Sequence, residues 1–221
     1  IDTLDGGAGD DRMGADLSEL SVDVLIDLNT ASFVQGREYR NFEAFLDLDT
    51  GSGNDRVLGH MTAILPDDIS TGAGDDMITL WWRGGADTVD GGAGSDRLEV
   101  YGYGDLSLTS ISANAAGGYN GRFSTGSATE GVQFFGIEHF AFVDNQGVRQ
   151  SIITGDGNDF LLGGGGDDTL HGGKGIDTLD GGVGNDLLGA DLSDLNVDAV
   201  LDLNVASFVQ GRVYRNFEGF L

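Results

Sequence analysis

The sequence predicts an all-β protein, a parallel β-roll or β-solenoid, on three observations. A nine-residue phrase rich in glycine and aspartate recurs along the chain, the stretches between its blocks alternate apolar and polar residues, and no segment carries an amphipathic helical period. Four phrases follow one another in strict register: TGDGNDFLL from Thr154, GGGGDDTLH from Gly163, GGKGIDTLD from Gly172 and GGVGNDLLG from Gly181. Others begin at Gly6, Thr50, Thr71, Trp82 and Gly91, those at 50, 71 and 82 being looser.

Taken in order, the chain reads as a repeat end over 1–15, a β-rich insert over 16–48 and an irregular repeat block over 49–99. A second insert over 100–149, a regular repeat block over 150–189 and a third insert over 190–221 complete it. A longer period of 175 residues overlays the short one: 1–46 and 176–221 agree at 34 of 46 positions, so the last insert is a second copy of the first. This implies tandem units in a longer parent, of which the chain is an excised fragment.

The first insert holds VDVLIDLN from Val22, in which Val22, Val24, Ile26 and Leu28 alternate with Asp23, Leu25, Asp27 and Asn29. Such alternation reads as a half-buried strand over 22–29, repeated as VDAVLDLN over 197–204. Val24, Leu25 and Ile26 become Ala199, Val200 and Leu201 in the second copy, apolar throughout, as core positions require. The aromatics Phe33, Tyr39, Phe42 and Phe45 suit strands better than helices. The stretches NFEAFL from Asn41 and GIEHFAF from Gly136 read as rungs that lead the chain into the next coil.

Composition limits the function. Of 221 residues, 39 are glycine and one is proline, and 37 acidic residues against 11 basic ones give a formal charge of −26. That field repels nucleic acid and anionic lipid and favours cations. The absence of cysteine leaves oxygen ligands and no disulfide frame. No apolar run is long enough to span a bilayer.

Within GGKGIDTLD the glycines permit the positive-φ backbone of a tight loop, where several carbonyls can converge. Asp177 adds a carboxylate there, and the short strand TLD turns only Leu179 inward. One phrase cannot bury its single leucine alone and must stack on neighbours. Two phrases make one turn of a flattened coil, which sets Asp159 above Asp177 and Asp168 above Asp186, about 4.8 Å apart along the sheet. At that distance two carboxylates repel by about 1 kcal/mol in bulk water and about 3–4 kcal/mol at an effective dielectric of 20. Ordering glycine-rich backbone costs about 1–2 kcal/mol per residue besides. A cation must reverse the repulsion. Calcium takes six to eight oxygens in flexible geometry and fits; magnesium demands a stricter octahedron. Zinc and copper want His or Cys, and His60, His139 and His171 are scattered.

The phrases over 154–189 resemble the RTX, or haemolysin-type, calcium-binding repeat G-G-x-G-x-D-x-U-x. The resemblance implies a parallel β-roll with several calcium ions between same-edge loops, type I secretion, and folding in calcium-rich extracellular surroundings. It assigns metal ligation to Asp159, Asp168, Asp177 and Asp186, with Asp55, Asp76, Asp87 and Asp96 in the middle block and Asp11 in the first. The loop carbonyls belong to Gly155, Gly157, Gly164, Gly166, Gly173, Gly175, Gly182 and Gly184. Asp2 holds the same position in a truncated opening phrase. The spacings Asp55 to Asp76 and Asp76 to Asp96 are 21 and 20 rather than eighteen, and Asp87 has no evident partner.

Other motifs read blandly. The Asp67-Asp68 and Glu138-His139 pairs read as solvated loop or strand face. Trp81, Trp82, Tyr101 and Tyr103 read as rim packing, with a sugar-stacking platform as the alternative. The acidic periodicity leaves no unique catalytic pair, so no enzyme is expected, and no organic cofactor. The expected function is a calcium-triggered structural module of a secreted bacterial repeat protein of adhesin, surface or biofilm type, whose partners are calcium, neighbouring repeats and cell-surface polysaccharide. The alternative is an accessory polysaccharide-binding module of a secreted enzyme with such repeats. The inserts are expected to be calcium-free.

Overall fold

A computed structural model describes residues 3–82, 85–102, 107–124, 130–144, 147–195, 201, 203 and 205–221. Its described elements are all β-strands. The longest sheet has nine strands in the order Ser207–Val209, Arg212–Arg215, Thr178–Asp180, Phe160–Leu162, His139–Asp144, Arg97–Gly102, Met77–Trp82, Arg56–Leu58 and Leu25–Asp27. Every neighbouring pair in it is parallel except the first, a hairpin.

Two further sheets share a core with it. The first runs Ser107–Ala113, Tyr119–Ser124, Gly131–Ile137, Ala86–Asp90, Asp68–Gly72, Ala44–Gly51 and Arg12–Asp16; the second runs Ser151–Ile153, Thr169–His171, Leu187–Gly189 and Gly219–Phe220. In the regular block the chain visits the nine-stranded and the four-stranded sheet by turns, so each strand lies eighteen residues from its parallel neighbour. Phe160 pairs with Thr178 and Thr169 with Leu187. One such excursion, out through one sheet and back through the other, is a pass.

Three-residue strands suffice because each contributes one inward side chain. Leu161, Leu170, Leu179 and Leu188 are 0–1% exposed and belong to one continuous core. Where the middle insert joins, aromatics replace leucine. Phe123 and Phe134 from one sheet meet Phe140 and Phe142 from the other at centroid separations of 5.1–6.0 Å. Stacked passes with matching core residues are the arrangement the short period predicts.

The 175-residue repetition is structural as well. Thr3–Asp5 pairs with Glu38–Arg40 in the register in which Thr178–Asp180 pairs with Val213–Arg215. Each copy adds a hairpin turning on a left-handed Gln-Gly, Gln35-Gly36 and Gln210-Gly211, the backbone a two-residue turn between twisted strands requires.

The strand expected over 22–29 is confined to Leu25–Asp27. Val24, Ile26 and Leu28 are buried as the alternation predicts, but Val22 is 49% exposed. Polar side chains end the strand on both sides: Asp23 accepts the Asn54 amide, and Asp27 accepts the amide of Asn29. The counterpart over 197–204 lies for the most part outside the described residues. The expected rungs do lead onward, with Ala44–Gly51 between Arg12–Asp16 and Asp68–Gly72, and His139–Asp144 between Arg97–Gly102 and Phe160–Leu162.

Candidate metal centre

Each repeat aspartate stands within one residue of the start of the strand that carries its core residue two positions later, so its side chain lies where loop becomes strand. The backbone amide of one aspartate donates to Oδ1 of the aspartate one pass further on. The links are Asp55 to Asp76 at 2.7 Å, Asp76 to Asp96 at 3.0 Å, Asp159 to Asp177 at 3.1 Å and Asp168 to Asp186 at 2.7 Å. The irregular spacings are thus absorbed, because the strand register is kept while the loop lengthens.

A second ladder runs beside the first in the opposite sense, and the sequence reading missed it. The residue before each aspartate accepts from the next pass: Asn54 from the Asp75 amide at 2.9 Å, Asn158 from Ile176 at 2.7 Å and Asp167 from Asn185 at 3.0 Å. Its signal was the recurrence of Asn or Asp at the fifth place of the phrase.

Two bland readings are corrected. Asp67 is only 8% exposed; it accepts the Phe45 amide at 2.8 Å and gives its own to Asp87 Oδ1 at 3.0 Å, so it is the partner Asp87 lacked. Asp68, beside it, is exposed. Glu138 accepts the Asp96 amide at 2.8 Å, and His139 Nδ1 accepts the Asn158 amide at 3.0 Å; both are half-buried and continue the ladders. Asp11 donates its amide to Glu43 rather than to another aspartate. Asp2 lies outside the described residues. Trp81 stacks on Tyr101 at 5.7 Å on the side opposite buried Leu80 and Val100; Tyr103 lies outside the described residues.

The loops bring main-chain oxygens to the same edges. Gly173 (φ 66°) and Gly175 (φ 134°) hold backbone that L side chains rarely adopt, and a methyl on either would collide with the carbonyl of Gly155 or Gly157. Gly182 and Gly184 meet the carbonyls of Gly164 and Gly166 in the same way. The oxygens at the second and fourth places of one loop therefore point at the loop stacked on it.

Burial makes this edge electrostatically demanding. It pushes Asp87, Asp96 and Asp159 up to about 7, and Asp67 and Asp177 up to about 6, from the usual 3.8. Neighbouring carboxylates add to it, Asp76 on Asp96 and Asp177 on Asp159. Oδ1 of Asp96, Asp177 and Asp186 is engaged by the ladder, while Oδ2 of these three and of Asp11 is buried without a hydrogen-bond partner. Buried anionic oxygens in pairs, with carbonyls aimed between them, fit a hard cation. Among the described residues no three acidic, histidine or cysteine side chains converge on one point, so main-chain oxygens must complete the coordination shell.

Comparison with known proteins agrees with this chemistry. No curated protein and no solved structure matches the chain. Residues 1–17, 83–99 and 152–188 match the family described as RTX calcium-binding nonapeptide repeat (4 copies). That repeat is a calcium-binding element rather than a catalytic one. The matched residues include Asp11, Asp87, Asp96, Asp159, Asp168, Asp177 and Asp186, and over these stretches the chain carries the RTX calcium-binding nonapeptide repeat.

Proposed function

We propose that the chain is a calcium-triggered structural module, a parallel β-roll that orders when calcium bridges its stacked loops. The observation that carries the reading is the interlocked pair of ladders at Asp159–Asp177 and Asp168–Asp186, in which buried carboxylates repel one another across a carbonyl-lined edge. Asp55, Asp76, Asp87 and Asp96 hold ions in the middle block by the same logic, with Asp67 added to them and Asp11 serving the first. Calcium supplies the positive charge these oxygens lack, and because the site exists only when the passes are stacked, binding energy becomes folding energy. Affinity in the 0.1–1 mM range of extracellular modules, about where a secreted chain meets calcium, would place the switch outside the cell. The parent in this reading is a secreted bacterial surface protein of adhesin or biofilm type.

Far-UV circular dichroism in EDTA, followed by a calcium titration with magnesium as control, tests the switch. A cooperative gain of β signal with calcium supports it; a spectrum already rich in β structure in EDTA and unchanged by calcium would overturn it. The stacking of half-buried Trp81 on Tyr101 favours polysaccharide binding as a second reading, tested by loss of glycan-array binding in Trp81→Ala.

A further inference from the structure

Three ladders end on a glutamate rather than an aspartate, and the three endings are built alike. The amides of Asp11, Asp96 and Asp186 donate to Oε2 of Glu43, Glu138 and Glu218 at 2.8, 2.8 and 2.7 Å. Two residues before each glutamate the backbone is left-handed, at Asn41 (φ 57°), Gly136 (φ 62°) and Asn216 (φ 56°). In the two asparagine cases the side chain is tied back, Asn41 to Asp5 and Asn216 to Asp180, each at 2.7 Å.

This turn aims a carbonyl oxygen at the first glycine of the phrase. A methyl on Gly91 would stand 2.7 Å from the Gly136 oxygen and 2.8 Å from Asp96 Oδ2; Gly6 and Gly181 meet the oxygens of Asn41 and Asn216 likewise. Asp96 and Asp186 are 0% exposed, and their Oδ2 atoms, with that of Asp11, are buried without hydrogen-bond partners.

Phrases that open on threonine differ at this point. The Thr50 hydroxyl donates to Asp55 Oδ2, whereas the Thr71 and Thr154 hydroxyls donate to the carbonyls of Gly91 and His171. At the glutamate endings the residue is glycine, so no hydroxyl can meet the carboxylate. A buried carboxylate oxygen, a second carboxylate and a convergent carbonyl form a hard-donor set repeated three times.

We propose that each glutamate ending is a further calcium site, formed by Asp11 with Glu43, Asp96 with Glu138 and Asp186 with Glu218, each completed by the carbonyl of Asn41, Gly136 or Asn216. The three glutamates lie outside the residues matched to the repeat family, so the inserts contribute ligands of their own. The proposal rests on the calcium reading above but is separable from it. Calcium tolerates such mixed carboxylate and carbonyl sets, and the longer glutamate side chain lets a pass without the glycine loop still reach the ion.

The test is crystallisation of the whole chain with terbium, a calcium surrogate located by its anomalous signal. Peaks at the three aspartate–glutamate pairs, beside those at Asp159–Asp177 and Asp168–Asp186, are the expected result. Peaks at the aspartate pairs alone would overturn this proposal and leave the calcium reading standing, whereas a map without peaks would overturn both. In solution, Glu138→Gln keeps an acceptor for the Asp96 amide and removes the charge. Equilibrium dialysis should find one calcium fewer per chain, with circular dichroism in excess calcium unchanged; an unchanged count in a folded variant makes Glu138 a cap alone. Should that variant not fold, the terbium map decides.

Discussion

The amide of Asp168 donates to the carboxylate of Asp186 at 2.7 Å, although eighteen residues separate them. One residue earlier the bond is reversed, and the Asn185 amide donates to Asp167 at 3.0 Å. Each pass is thus locked to the next by two side-chain bonds of opposite sense, besides the strand pairing. Only the aspartate ladder is buried, and this divides metal chemistry from loop clamping.

Asp177 serves two purposes that substitution can part. Asp177→Asn keeps an oxygen for the Asp159 amide and removes a charge, whereas Asp177→Ala removes both. Both variants should bind fewer calcium ions in equilibrium dialysis. In saturating calcium, urea unfolding should find Asp177→Ala less stable than Asp177→Asn by about 1–3 kcal/mol, the cost of leaving a buried amide unsatisfied. Equal stabilities would mean that the ladder bond contributes nothing.

Asn158 tests the clamp without touching the metal edge. Its side chain is exposed and accepts the Ile176 amide at 2.7 Å. Asn158→Ala should lower stability by about 0.5 kcal/mol, the low end for a single hydrogen bond in water, with the calcium count unaltered. A lost ion would show that the fifth-place side chain ligates metal and that the two ladders are not separate in function.

Gly175 sets the spacing between loops. At φ 134° alanine is strained, and its methyl would collide with the Gly157 carbonyl. Gly175→Ala should cost about 1–3 kcal/mol and shift the calcium midpoint of the circular dichroism titration upward, while Lys174→Ala next to it should leave that midpoint in place. Matching midpoints for the two variants would refute the close approach of the loops.

These contrasts show what the sequence made legible. Asp159, Asp168, Asp177 and Asp186 were readable because the glycine phrase around them is strict. Asp67, Glu43 and Glu138 were not, because their loops have lost the phrase's glycines, save Gly136 before Glu138. What they keep is an acid two residues before an inward apolar side chain: Asp67 before Ile69, Glu43 before Phe45, Glu138 before Phe140. A single acid–x–apolar tripeptide is too common to notice, and only the strand register shows that these stand in line with the repeat aspartates. The hairpins had a similar fate, since Gln35-Gly36 is a turn signal only once its flanking strands are known to pair.

Acid should stand in for calcium, up to a point. Burial raises Asp87, Asp96 and Asp159 to about 7 and Asp67 and Asp177 to about 6, against 3.8 for the ordinary carboxyl. The metal-free folded chain therefore holds more protons than the unfolded chain between about pH 4 and pH 7. By linkage its stability falls as pH rises through that window, and the penalty is complete above pH 7, where the folded carboxylates are charged and uncompensated. Below about pH 4 these groups are protonated in both states and contribute nothing. Calcium removes the penalty by pairing the charges, so protons and calcium compete for the same oxygens. In EDTA the β signal of far-UV circular dichroism should be greater at pH 5 than at pH 7.5, while in excess calcium the urea midpoint should be lower at pH 5 than at pH 7.5 because protons displace the ion. An EDTA β signal that rises from pH 5 to pH 7.5 would mean that the aspartate edge is hydrated in the metal-free chain and that repulsion along it does not hold the fold open.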